Sequence, residues 1–303
     1  MTIAYLGPPG TFTEQALRSE PDLDAMDLFP MRTFVDVLYA CRDEEVELGF
    51  VAIENAIEGM VNVTMDTLAF DTDLLIQREV VLDITMQLMA QPGTTLDDIK
   101  AVASHPVANA QCRTFLRANL PDATVQPANS TADGARIAAE TKGVAALGPS
   151  IAGAQYGLDT IASDIADHPE NRTRFLVVAR RGVPAPSGHD KTTVVLRQKH
   201  DHPGSLVAIL QEFAARNINL SRLSSRPDMQ TLGDYAFIVD LEGHIADDVV
   251  ADCLKNIHAK HADVKFLGSY PTAGDGHEET RFRNTEAWNQ ATEWMDDLRA
   301  HMD

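Results

Sequence analysis

Residues 33–53, TFVDVLYACRDEEVELGFVAI, show how the N-terminal half is built. Phe34, Val37, Leu38 and Cys41 recur at helical spacing, which puts one apolar stripe on a helix over Thr33–Arg42. After a short acidic turn, Leu48–Ile53 reads as a buried strand. Working outward, Thr2–Leu6, Ala101–Ala103, Val144–Leu147 and Phe175–Ala179 are further strand candidates. Alternation of strands and helices predicts βαβ units around mostly parallel sheet, so the fold class is α/β. The β-rich stretch Ile76–Gln91 is too long for one ordinary strand and predicts a pair of strands crossing between two lobes.

The pattern changes at Arg181–Asp190, RGVPAPSGHD, which holds two prolines, two glycines and no periodic apolar residue. It reads as a linker. Beyond it come a strand at Thr192–Gln198, a helix with Pro203 in its first turn, strands near Asn219–Ser224 and Tyr235–Glu242, a helix carrying Val249 to Ile257, and a strand at Val264–Leu267. That order is βαββαβ, a ferredoxin-like unit. The expected domains are therefore 1–182, 190–270 and a tail 271–303. The tail predicts an amphipathic helix from about Thr285, with Trp288, Ala291, Trp294, Met295, Leu298 and Met302 at helical spacing. Both tryptophans are expected to pack on the same chain or a sister subunit rather than to bind another partner.

Composition narrows the function classes. With 45 acidic against 25 basic residues the chain carries −20, a charge that duplex DNA repels. The acidity is spread along the chain and reads as a solvated surface. No apolar run reaches the roughly 18–20 residues of a spanning helix, so no membrane is expected. The first residues, MTIAYLGPPGTF, lack a basic start and a long apolar core and do not read as a signal peptide. Three cysteines without a CxxC make neither a disulfide framework nor a zinc site, and a reducing cytoplasm is expected. His258 and His261, like His200 and His202, flank helix ends and read as dipole complements, so no metal is indicated.

Phosphate loops and dinucleotide folds are not indicated. GPPGT is not followed by Lys-Ser/Thr, and no GxGxxG, GxSxG or HExxH occurs. What remains is a set of polar loops that follow strands and start helices: GPPGTFT, ENAIEG, SHPVANAQ, NSTADGA before a helix at Ala135, and ENRTRF before a strand. In an open α/β sheet, ligands bind at the carboxyl ends of strands. Thr11, Thr13, Ser104 and Thr131 sit where a hydroxyl can cap a helix, and each alone says no more than that. Together the five loops point to a site for a small carboxylate, with Arg172 and Arg174 as its fixed positive charge.

Taken in order, GPPGTFTEQA, AIENAIEGMVNVTMDTL, SHPVANAQC, STADGA and NRTRF resemble the prephenate dehydratase family. Residues 190–270, with PGSL and INLSRLSSRP, resemble the ACT regulatory domain found there. The resemblance implies a catalytic domain of two lobes similar to a type II periplasmic binding protein, with the site in the cleft. It implies conversion of prephenate to phenylpyruvate, with loss of water and carbon dioxide, in phenylalanine biosynthesis. Aromatisation drives that reaction, so no cofactor is needed. By resemblance Thr173 is the residue needed for dehydration, a hydrogen-bond donor to the leaving hydroxyl. Asn55, Ser104, Asn171, Arg174 and Thr11 orient the substrate, and Glu54 or His105 is the ultimate proton source. Phe175 packs rather than reacts. Phenylalanine is the implied effector, held by Gly204, Ser205 and Leu206 together with Ser224, Ser225, Arg226 and Pro227, between ACT domains of a homodimer or homotetramer. The first strand begins at residue 2, so no preceding chorismate mutase is expected.

Three departures bear on this. The family's PIENS reads AIENA here, with Ala52 for proline and Ala56 for serine; ESRP reads Ser224-Ser225-Arg226-Pro227; and GAL reads Gly204-Ser205-Leu206. The second removes a carboxylate from the effector loop. An arogenate-using or dual-specificity dehydratase is the nearest alternative, and an inactive amino-acid sensor is the alternative from another class.

Overall fold

The computed structural model describes residues 1–199, 202–227, 235–273 and 278–301. They form two compact units, one of Met1–Thr67 with Val80–Val178, the other of Leu68–Glu79 with the chain from Ala179 onward. Segment 68–79 packs with the C-terminal unit.

In the first unit the chain runs β1 (Thr2–Leu6), α1 (Phe12–Arg18), α2 (Pro21–Asp24), β2 (Asp27–Met31), α3 (Phe34–Arg42), β3 (Leu48–Asn55), β4 (Gly59–Met60), α4 (Asn62–Asp66) and β5 (Leu75–Asp83). It then builds a second sheet: β6 (Gln87–Ala90), β7 (Ala101–Ser104), α5 (Pro106–Gln111), α6 (Arg113–Asn119), β8 (Thr124–Pro127), α7 (Thr131–Glu140), β9 (Val144–Gly148), α8 (Ser150–Tyr156) and β10 (Asp159–Ala162). Strand β11 (Arg172–Ala179) returns to the first sheet. The two sheets have the orders β2-β1-β3-β11-β5, with β4 on β3, and β10-β6-β9-β7-β8. Strand β1 is parallel to β2 and β3, and β7 is parallel to β8 and β9. The chain therefore crosses between two lobes twice, and the Ile76–Gln91 stretch is one of the crossings, as expected.

Each lobe has its own core. Ile3, Leu17, Phe50 and Phe175 centre the first, where Phe50 and Phe175 stack at 5.0 Å. Ile84, Leu88, Val102, Cys112 and Leu147 belong to the second. Several helix starts differ from expectation by a few residues, for local reasons. Helix α7 begins at Thr131 rather than Ala135, because Ser130 accepts from the Asp133 N–H at 2.9 Å while Asp133 accepts from the Asn129 N–H at 3.2 Å. Ser130, not Thr131, is that cap. Before α5 the cap is His105, whose Nδ1 accepts from Val107 N–H. Ser104 instead ends β7, fully buried, with its hydroxyl donating to the Leu147 carbonyl at 2.6 Å. Thr11 holds the N-cap position of α1 without a capping bond, and Thr13 lies inside that helix.

The second unit continues β12 (Asp190–Gln198), α9 (Ser205–Ala214), β13 (Leu220–Pro227), β14 (Tyr235–Glu242), α10 (Asp248–Lys260) and β15 (Ala262–Pro271), in the order β13-β14-β12-β15. Its strand pairs are antiparallel, giving the expected ferredoxin-like unit. Pro203 precedes the Gly204 cap of α9 rather than entering the first turn. One sheet face buries Val194 and Leu196 against Ile209 and Phe213 of α9 and Leu254 of α10. Segment 68–79 is fastened to β12 and β15. Lys191 Nζ holds the buried Glu79 carboxylate at 3.0 and 3.1 Å, and Lys265 Nζ donates to the Ala69 and Thr72 carbonyls. Gly268, at φ +142°, brings its backbone so close to Ile76 that a Cβ there would lie 2.6 Å from the Ile76 carbonyl oxygen. The tail helix α11 spans Glu278–Arg299 and so starts before Thr285. Its first turns lack an apolar stripe, and residues such as Glu and Arg supply helix propensity in its place. Trp288 packs on the second unit's core, whereas Trp294 is 61% exposed. His200 and Met302 lie outside the described residues.

Helix α7 approaches β7 through Gly134. A Cβ there would lie 2.4 Å from the Ala103 carbonyl oxygen and 3.0 Å from Ser104 Cα. Overpacking against backbone costs about 1–3 kcal/mol, more than the roughly 1 kcal/mol that alanine recovers in helix propensity. Gly134→Ala is therefore expected to lower the urea midpoint. A midpoint at or above wild type would show that the helix has room to move.

Candidate active site

Between the two lobes of the first unit lies a cleft of about 960 Å³, lined from both sheets. The GPPGTFT loop after β1 forms one wall. Its shape is held by the Gly7 N–H on the Met31 carbonyl at 2.9 Å and by the buried Glu14 carboxylate, which accepts from Gly10 N–H at 2.6 Å and pairs with Arg18 at 2.8 Å. Thr11 lines the cleft, its hydroxyl donating to the Leu6 carbonyl at 3.4 Å. Burial and the Glu14 charge push the phenol of Tyr5, beneath this loop, up to about 12, so it stays protonated.

On the same sheet, at the ends of β3 and β11, the lining is organised by one amide. Asn55 Nδ2 donates to Asn171 Oδ1 and to Thr173 Oγ1, both at 2.9 Å, and its Oδ1 accepts from Ile57 and Glu58 N–H at 3.0 Å. That turn geometry is the one asparagine favours. It explains why Ala56 in place of serine leaves the turn intact: Asn55 closes it, and Ala56 is exposed and outside the lining. Asn171, 1% exposed, passes the chain on to Gln111 at 3.2 Å, and Gln111 reaches Glu58 at 3.4 Å. Since Thr173 Oγ accepts from Asn55, its own hydrogen is left to donate, and Thr173 lines the cleft.

The structure brings together Thr11, Asn55, His105, Asn171 and Thr173 on the cleft lining. It does not bring Ser104, Glu54 or Arg174 there. Ser104 is spent on Leu147. Arg174 follows Thr173 along β11, which turns it to the other sheet face, and it pairs with Glu54 at 3.2 Å. Arg172 pairs with Asp83 at 2.7 Å on the surface. The expected source of positive charge is thus elsewhere: the arginines on the lining are Arg32, just past β2, and Arg136, on α7. Arg136 is held between Asp133 and Glu140 at 2.8 Å each, whereas Arg32 has no carboxylate partner among the described residues. Neither stands out in the sequence, because no motif marks them; position just past β2 and at the end of STADGAR is the only signal. Gln111 and Glu58 were likewise missed although both fall within the quoted motifs. Cys112 is buried, and that burial together with the Asp167 charge pushes its thiol up to about 12, which removes it as a nucleophile.

A family model described as prephenate dehydratase matches residues 3–183, and one described as the ACT domain matches residues 192–259. The chain belongs to the prephenate dehydratase family. A prephenate dehydratase of Mycobacterium tuberculosis (strain H37Rv) is 43% identical over 89% of this chain and 87% of its own. One from Mycolicibacterium gilvum is 41% identical over 98% of both. The crystal structure of the Arthrobacter aurescens prephenate dehydratase in complex with L-Phe has a TM-score of 0.85 and 39% identity, covering 99% of this chain and 100% of that one. Prephenate dehydratases are lyases that decarboxylate and dehydrate prephenate to phenylpyruvate, and this chain is an enzyme of that class with an ACT regulatory domain. No described helix is long and apolar enough to cross a membrane.

Removing the Asn55 amide leaves the buried Asn171 Oδ1 without its donor. An unsatisfied buried acceptor costs about 1–3 kcal/mol. Asn55→Ala is expected to lose that much in chemical denaturation, and a loss below about 0.5 kcal/mol would mean the network is not structural.

Proposed function

We propose that the cleft carries out the family reaction with Thr173 as donor to the leaving hydroxyl. The observation that supports this is the Asn55–Thr173 hydrogen bond, which points the threonine as a donor rather than an acceptor. In the reaction the electron pair of the ring carbon–carboxylate bond moves into the ring, carbon dioxide departs, and the para hydroxyl leaves with a proton as water. Thr173 Oγ–H, polarised by the amide behind it, stabilises the departing oxygen. Asn55 and Asn171 fix the threonine, and Thr11 lines the cleft from the loop after β1. The proton comes from solvent through His105, the one of the two candidates on the lining; Glu54, paired with Arg174, and Ser104, bonded to Leu147, act as supports. Donor assistance of this kind contributes roughly 10²–10⁴-fold. Thr173→Val is therefore expected to lower kcat by about that range while Thr173→Ser keeps most of it, read as phenylpyruvate formed from prephenate. Equal rates for wild type and Thr173→Val would remove Thr173 from the reaction. Turnover of arogenate with none of prephenate would move the substrate to the amino form, which differs only on the side chain.

The division of work we infer is catalysis by 1–182 and regulation by 190–270, with the tail 271–303 packing on the latter. The effector we propose is phenylalanine, supported by the L-Phe held in the Arthrobacter relative. Its loops are Gly204-Ser205-Leu206 at the start of α9, where Ser205 Oγ accepts from Gln198 at 2.6 Å, and Ser224-Ser225-Arg226-Pro227 on β13. Strand β13 ends the sheet order and, among the described residues, has one edge without a strand partner, which suits assembly of a homodimer or homotetramer through this unit. Three buried free cysteines fit a cytoplasmic setting. Coupling of ordinary size, about 1–3 kcal/mol, makes activity change roughly 5–150-fold on phenylalanine addition. A flat response up to millimolar phenylalanine would exclude it as effector, and the serine at 224 would be the reason.

A further inference from the structure

The catalytic lining around Thr173 is rich in neutral groups. Asn55, Asn171 and Gln111 supply amides, while Ile84, Met86 and Phe175 supply apolar wall. Arg174 is turned away to Glu54. Across the cleft, Arg136 is compensated by two carboxylates. Arg32 alone among the lining arginines brings charge that no described carboxylate offsets.

Its place in the sheet says which part of the substrate it meets. Arg32 follows the last residue of β2, and Thr173 lies on β11; the order β2-β1-β3-β11 puts three strand spacings between them, about 14 Å. An arginine side chain and a prephenate molecule together span that distance. With the hydroxyl at Thr173, the group farthest away is the side-chain carboxylate, not the ring carboxylate.

Energetics agree. A cation on the ring carboxylate would stabilise a charge that the reaction removes, and would hold the ground state more tightly than the transition state. A cation on the side-chain carboxylate binds both equally and lowers KM alone. Resting on the dehydratase reading, we propose that Arg32 binds the side-chain carboxylate of prephenate, and that neutral donors serve the reacting end.

The product tests this, since phenylpyruvate retains only the side-chain carboxylate. Steady-state kinetics with prephenate, and product inhibition by phenylpyruvate, are measured for wild type, Arg32→Gln and Arg32→Lys, each checked for folding by circular dichroism. The glutamine variant is expected to raise the KM for prephenate and the inhibition constant for phenylpyruvate by a common factor of about ten, with the loss falling on KM rather than kcat. Lysine, which keeps the charge but not the fork, should fall between. A rise in KM with an unchanged inhibition constant would overturn the side-chain assignment. Unchanged KM, or a fall in kcat alone, would overturn a binding role altogether. Wild-type turnover of prephenate is read first: its absence fails the dehydratase reading, whereas its presence beside unaltered Arg32→Gln constants fails this inference only.

Discussion

The Asn55 amide is the constraint on which the cleft depends. It has two donors and one acceptor oxygen, and all are committed: the donors to Asn171 and Thr173, the oxygen to the Ile57 and Glu58 N–H groups. Through it the end of β3, the following turn and the start of β11 become one unit. Strand β11 is also the return of the chain from the second lobe, so the same amide anchors a crossing. A cleft between two lobes keeps its shape only where the crossings are fixed, and here the fixing group also holds the Thr173 hydroxyl on the lining. Asparagine is required there, because aspartate supplies no donor and leucine neither donor nor acceptor.

Segment 68–79 shows a second economy. A four-stranded antiparallel sheet covered by α9 and α10 on one face leaves the other to be covered or solvated. Here Lys191 and Lys265 reach segment 68–79, binding the Glu79 carboxylate and two backbone carbonyls. Strand β5 carries Leu75–Glu79 in this unit and Val80–Asp83 in the other, followed by Ile84 on the cleft lining.

Much of this was legible in the sequence. Helix α3 follows from apolar periodicity, because it buries one face in a local core, whereas β1 and β14 are legible as short, mostly apolar runs buried on both faces. The order of motifs identified the family, and Thr173, Asn55 and Asn171 with it. What was not legible has a common cause: it depends on which way a side chain turns. Arg174 and Thr173 are neighbours in NRTRF, yet strand alternation sends one to Glu54 and the other to the cleft. Ser104 and His105 are neighbours in SHPVANAQ, yet one ends a strand in the core and the other caps a helix at the lining. The segment 68–79 could not be assigned to the second unit because its bonds run to residues over a hundred positions later. Helix α11 begins before Thr285, over residues whose sequence carries no apolar stripe to read.

A chain of charge −20 that takes a dianion must overcome its own field. At physiological salt the screening length is about 8 Å, so acidic residues scattered over the surface act weakly on a ligand already inside the cleft. They act mainly on its approach. Inside, the balance is set by groups within hydrogen-bond reach, and at the Thr173 end the lining offers amides, a hydroxyl and the Glu58 carboxylate but no arginine. That choice fits the chemistry, because the ring carboxylate becomes neutral carbon dioxide. Fixed positive charge at that end would be attractive on entry and retarding at the barrier. Amides and a hydroxyl carry no positive charge that would hold the carboxylate. A net-acidic protein with one uncompensated arginine far from the reacting atoms is therefore compatible with binding an anion and with releasing its charge.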